Sequence, residues 1–113
     1  MRSEAAYLID ILNSARLILI FMGNIDYGVF FKDLKTQSSV IHQLLQIGEA
    51  VKYLSDEFKN NHPMVPWRKI AGMRDRLIHQ YHNIDIEEVW DTVTLNIPQL
   101  IEYIEPLVPP EEE

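Results

Sequence analysis

The run Val40-Ile41-His42-Gln43-Leu44-Leu45-Gln46-Ile47-Gly48-Glu49-Ala50-Val51-Lys52-Tyr53-Leu54-Ser55-Asp56-Glu57-Phe58 sets Val40, Leu44, Ile47, Val51, Leu54 and Phe58 at steps of 4, 3, 4, 3 and 4. Such spacing lines one face of an α-helix with apolar side chains and makes a sustained seam for helical partners. It predicts a helix that starts near Asp33 or Thr36 and continues to about Lys59, about 40 Å long at the helical rise. Gly48 falls in its middle, where glycine costs about 1 kcal/mol relative to alanine, so its presence points to a close crossing by another helix. Asn60-Asn61-His62-Pro63 ends the run.

The flanking segments repeat the same period. Leu8, Ile11, Leu12, Ala15, Ile18, Leu19 and Met22 recur at three- and four-residue steps, with Gly23-Asn24 as a stop. Ile25 to Phe31 is too short for an independent helix and is expected to be a turn packed on the bundle. Pro66 suits the first turn of a third helix, from about Trp67 to Tyr81, because its missing N–H would have no intrahelical partner there. Asp85 as N-cap, Glu88 as its capping-box partner, and Ile84 with Val89 as a hydrophobic staple open a fourth helix. Pro98 should kink that helix or divide it near Thr94 to Ile97. No stretch shows the strict alternation of a half-buried strand. The expected fold is all-α, an antiparallel up-and-down bundle of about four main helices. Residues 1–105 would form the single domain and residues 106–113 a disordered Pro/Glu-rich tail.

The chain has 113 residues, which allows one core. Cysteine is absent, so disulfides and thiolate metal sites are excluded. With no cleavable signal and its longest apolar stretch only Leu17 to Met22, the chain is expected to be cytoplasmic and without a membrane span. The net charge of −7 argues against a nucleic-acid partner as a total. Its distribution weakens that objection. Residues 59–76 carry five basic side chains (Lys59, Arg68, Lys69, Arg74 and Arg76) against one acid, whereas residues 77–113 carry nine acids and no Lys or Arg.

Titratable groups concentrate in Arg74-Asp75-Arg76-Leu77-Ile78-His79-Gln80-Tyr81. A histidine can move the proton of an attacking 2′-hydroxyl, and a guanidinium can hold the oxygens of a phosphorane, so the pair suits metal-free cleavage of RNA. Asp75, four residues before His79, could orient the imidazole. In an ideal helix Arg74 and His79 lie about 140° apart, so joint action needs a distorted helix end or two crossing copies. Arg, Asp and His in one helix also make an ordinary salt-bridged solvated face, and spacing alone does not separate the two. Arg68, Lys69 and Arg76 are candidate RNA contacts. His42, Gln46 and Glu49 share one helical face, and Glu49 either lines a cleft or makes a buried polar contact. Tyr81 can equally be a helix-end aromatic packed on Trp67 or on the fourth helix.

Ile47-Gly48-Glu49-Ala50, the run from Val65-Pro66-Trp67-Arg68-Lys69-Ile70-Ala71-Gly72-Met73 to Arg74, and the R-x4-H-x-Y pattern of Arg74, His79 and Tyr81 resemble the HepT-like toxins of the HEPN superfamily. The resemblance spans about residues 1 to 105. It implies an all-helical homodimer whose paired motifs share a cleft, acting on RNA as a metal-independent endoribonuclease that needs no cofactor. Arg74 and His79 would be catalytic, supported by Asp75. Tyr81 would accept AMP from a cognate MntA-type minimal nucleotidyltransferase antitoxin, which silences the toxin by putting bulk and negative charge into the cleft. A non-catalytic helical module that binds a nucleotidyltransferase or a nucleotide would use the same basic and polar residues.

Overall fold

The computed structural model describes residues 2–80 and 82–109. Among them there is no strand, and the all-α expectation holds. The helices are α1 (Glu4–Met22), α2 (Tyr27–Lys32), α3 (Leu34–Tyr53), α4 (Asp56–Asn61), α5 (Trp67–His79), α6 (Ile86–Asp91) and α7 (Ile97–Ile104). Helix α3 packs between α1 and α5, and α7 closes on α1. Neighbours run antiparallel: Tyr7 near the start of α1 stacks on Tyr53 at the end of α3, with centroids 5.5 Å apart. Leu44, midway along α3, shares a crevice with Leu77 near the end of α5, and Val51, late in α3, shares a groove with Trp67 at the start of α5. The core is continuous, with Ile11, Ala15, Ile18, Phe30, Val40, Leu44, Ile47 and Ile104 fully buried.

The long helix expected through residue 59 is divided. Leu54 is extended (φ −69°, ψ 142°), and Ser55 starts α4 by accepting the Phe58 N–H at 3.0 Å. The Glu4 carboxylate accepts the Ser55 N–H at 3.1 Å, so a side chain from α1 satisfies a donor that the break releases. The apolar period continues across the gap because Leu54 and Phe58 both still reach the core. Periodicity reports burial, and it does not by itself report helical continuity.

Ile25 to Phe31, expected as a turn, holds α2 instead. Asp26 caps it, accepting from Val29 N–H at 2.9 Å. Its far end is held by Gln37, whose buried amide donates to the carbonyls of Phe30 and Phe31, each at 2.9 Å. A six-residue helix is marginal alone; the tertiary cap on its orphan carbonyls makes this one tenable.

Asp85 caps α6 as expected, accepting from Glu88 N–H at 3.2 Å. The reciprocal half of the capping box is not made, because the Glu88 carboxylate turns to Arg76, 2.9 Å away. Pro98 disturbs the last helix by a widened π turn over Thr92–Asn96. A π turn relieves the clash of the ring with the preceding turn, and the Thr92 and Thr94 hydroxyls donate to the carbonyls of Glu88 and Trp90. The tail expected from residue 106 is ordered at its start: Glu105–Leu107 form a 3₁₀ turn, and Leu107 and Val108 pack on the core. The remainder of the expected tail, residues 110–113, lies outside the described residues.

By length and composition helix α1 is apolar enough to cross a bilayer, with a mean hydropathy of 1.6 over an 18-residue window, although its longest unbroken apolar run, Leu17 to Met22, predicted no span. In the fold one of its faces supplies Leu8, Ile11, Leu12, Ala15, Ile18 and Met22 to the core.

Candidate active site

Gly48 determines the local geometry. It lies where α3 and α5 cross, and a Cβ at this position would overlap the Cβ of Arg74. The crossing expected from a mid-helix glycine is therefore present, and Arg74 is the residue it admits. The Arg74 side chain is 26% exposed, its Nη2 lying 2.8 Å from Glu49 Oε2 and its Nη1 3.2 Å from Asp75 Oδ1. The Asp75 carboxylate also accepts from Lys52 Nζ at 2.5 Å. Glu49 and Lys52, one turn apart on α3, thus interlock with the adjacent Arg74 and Asp75 of α5. The four formal charges cancel.

Lys52 was not among the sequence candidates. The signal available was its place one turn beyond Glu49 in a helix whose glycine already implied a crossing. Glu49 proves to be an ion-pair partner of Arg74 and also lines a cleft between α1 and α3. Asp75, expected to orient His79, is turned to Lys52 and Arg74; among the described residues it makes no hydrogen bond to His79.

The Lys52 ammonium first, and the Arg74 guanidinium after it, hold the Asp75 carboxyl below its ordinary range. A carboxyl with a depressed folded pKa stabilises the fold at pH above its unfolded value, and that contribution disappears as pH falls through the folded value. The difference in melting temperature between the wild type and Asp75→Asn should stay constant from neutral pH to about pH 4 and shrink below it. It should also shrink in high salt, since the pair is open to solvent. A thermal-denaturation series in pH and salt checks both trends.

His79 is the last residue of α5 and is exposed. Helical hydrogen bonding continues undistorted to the Gln80 N–H, which donates to the Arg76 carbonyl at 2.9 Å. Arg74 and His79 therefore remain about 140° apart around the helix axis. One chain does not bring both to a single reacting atom. Ile78, next to His79, is 45% exposed despite its size. Tyr81 lies outside the described residues.

The basic segment divides. Arg68 and Lys69, with Lys52 and Lys59, border an open groove of about 840 Å³ along the N-terminal half of α5. Arg76 points to α6, paired with Glu88, and does not join that groove. The groove reaches the four-residue network through Lys52. This arrangement can attract a polyanion, present one phosphate to Arg74, and offer the imidazole of His79 only from a second surface.

A family model described as ribonuclease HepT-like matches residues 11–107. A candidate RNase of Methanocaldococcus jannaschii is 44% identical over 103 residues, covering 91% of this chain and 85% of the relative. A candidate ribonuclease HepT of Thermococcus cleftensis is 46% identical over 99 residues, covering 88% and 90%. A candidate RNase of Caldanaerobacter subterraneus subsp. tengcongensis is 35% identical over 112 residues, covering 99% and 100%. No solved structure matches the chain.

Proposed function

The chain belongs to the HepT-like ribonuclease family of HEPN proteins, and from that premise we propose that it is a metal-independent endoribonuclease assembled as a homodimer. The observation that carries the reading is the placement of Arg74 and His79. Arg74 is fixed at the α3–α5 crossing, while His79 is exposed on the other side of a regular helix. A complete site needs Arg74 of one copy facing His79 of another. Large apolar side chains left exposed, including Ile20, Phe31, Leu34 and Ile78, support an association between copies.

In this reading the RNA backbone enters along Lys59, Arg68 and Lys69. The scissile phosphate displaces Glu49 or Asp75 from Arg74, whose guanidinium then holds the non-bridging oxygens. His79 takes the proton of the 2′-hydroxyl as that oxygen attacks phosphorus in line, and the 5′-oxygen leaves with a proton from water. The products are a 2′,3′-cyclic phosphate and a 5′-hydroxyl.

The biological role we propose is that of a toxin neutralised by an MntA-type nucleotidyltransferase antitoxin. The phenolic oxygen of Tyr81 attacks the α-phosphorus of ATP, pyrophosphate leaves, and AMP remains two residues from His79. A bound nucleotide there competes with RNA through both volume and charge.

RNA cleavage by the protein made alone should persist in chelator. Co-expression with the partner enzyme should raise the intact mass by whole AMP units and abolish cleavage, and Tyr81→Phe should prevent both changes. Binding of the partner with no cleavage by the unmodified protein would make the chain a non-catalytic docking module.

A further inference from the structure

The cleft between α1 and α3, about 400 Å³ in volume, adjoins the Arg74 network without belonging to it. Its size lies within the range of small-ligand sites. Glu49 connects the two, lining the cleft while its carboxylate holds Arg74 at 2.8 Å. A phosphate bound by Arg74 would therefore carry one flanking nucleotide to the mouth of this cleft.

The walls have a distinct chemistry. Asn13 from α1 and His42, Gln43 and Gln46 from α3 face the same space, and among the described residues none of the four has a side-chain hydrogen bond or ion pair. Arg2 and Asp10 also border the cleft, but they neutralise each other at 2.6 Å. The cleft thus offers amides and an imidazole, with no cation left for a second phosphate. Amides present a donor and an acceptor side by side, which is the pattern on the edge of a nucleobase. An imidazole adds a face on which a base can stack.

Glu49 supplies the discrimination. When phosphate takes the Arg74 Nη2 that faces Glu49, rather than the Nη1 that faces Asp75, the half-buried Glu49 carboxylate loses its donor. An ionised carboxylate accepts hydrogen bonds and donates none, so an exocyclic amine replaces the lost donor and a carbonyl oxygen repels it. Adenine, cytosine and guanine carry such an amine; uracil does not.

We propose that the α1–α3 cleft is the subsite for the nucleobase beside the scissile phosphate, and that Glu49 makes it select amine-bearing bases over uracil. This inference rests on the ribonuclease reading for its substrate, and its test is independent of turnover. RNA trinucleotides with 2′-deoxyribose at the nucleophile position cannot be cleaved by 2′-hydroxyl attack. Two series, varying the base on the 5′ or the 3′ side of that phosphate, are titrated into ¹⁵N-labelled full-length protein.

In one series the side-chain amides of Asn13, Gln43 and Gln46 should shift, with affinity about tenfold higher for amine-bearing bases than for uracil. Glu49→Gln should erase that preference, because its amide both donates and accepts. Gln46→Ala should weaken binding of the responsive series. Equal affinity for all bases in both series, or a preference unchanged in Glu49→Gln, would overturn the proposal. Selective binding by a protein that cuts no ribose substrate supports the subsite and removes the catalytic reading alone. Cleavage at one rate for every base removes the subsite alone.

Discussion

Mixed dimers of Arg74→Ala and His79→Ala subunits should recover cleavage that neither homodimer has. Each single variant should lose activity by about 10²–10⁴, the usual range for removing a proton-transfer group or a charge-stabilising donor. In a composite site Arg74 comes from one copy and His79 from the other. A heterodimer of the two variants then contains one doubly defective site and one intact site. If subunits exchange at random, half of the dimers are mixed, and the population should reach about a quarter of wild-type activity. A site made within one chain gives no recovery at all. The measurement is an RNA cleavage assay on the variants alone, mixed and co-refolded, with mass spectrometry to count heterodimers. The large effect is expected because α5 is regular through His79 and keeps the two side chains on different sides.

The second large effect should come from a residue with no functional group. Gly48→Val places branched carbons where the Cβ and Cγ of Arg74 already lie. These are the anchored atoms of the side chain, so rotation of the guanidinium does not relieve the overlap and the helices must separate. Overpacking of this kind costs about 1–3 kcal/mol, and each kcal/mol lowers the melting temperature of a domain this size by about 4–8 °C. Separation also withdraws Arg74 from Glu49, and Asp75 from Lys52, so cleavage should fall as far as in Arg74→Ala even in the population that stays folded. Circular dichroism melts together with cleavage at a temperature well below the transition distinguish the two losses. Gly72→Ala is the control on the same helix, since a Cβ there meets only the Arg76 guanidinium tip at 3.7 Å.

The legibility of the molecule follows from which forces are local. Apolar period, Asp85 as a cap and Pro66 at a helix start depend on residues within a few positions of one another, and each is found as expected; Gly48 is legible for another reason, since a mid-helix glycine marks a crossing without naming its partner. The break at Leu54–Ser55 was only half visible. Ser55 followed by Asp56 and Glu57 is a helix start, but the seam of Leu54 and Phe58 ran across it and concealed it. Helix α2 was hidden for a different reason: the group that secures its end, Gln37, is on the next helix.

The same division applies to the site. By itself the sequence determined an all-helical fold, a basic segment containing Arg74, and a motif placing His79 five residues after that arginine, because those properties are carried by residue type and spacing. Only the tertiary structure decided what Arg74 and Asp75 touch. The i to i+4 relation proposed Asp75 as the partner of His79, yet Lys52 and Arg74 claim its carboxylate. Charges pair with whatever the packing brings within reach, and the packing here is set by a missing Cβ at Gly48. A regular α5 then leaves His79 on a different side of the helix from Arg74, a separation that spacing implied and that only an undistorted helix end could settle.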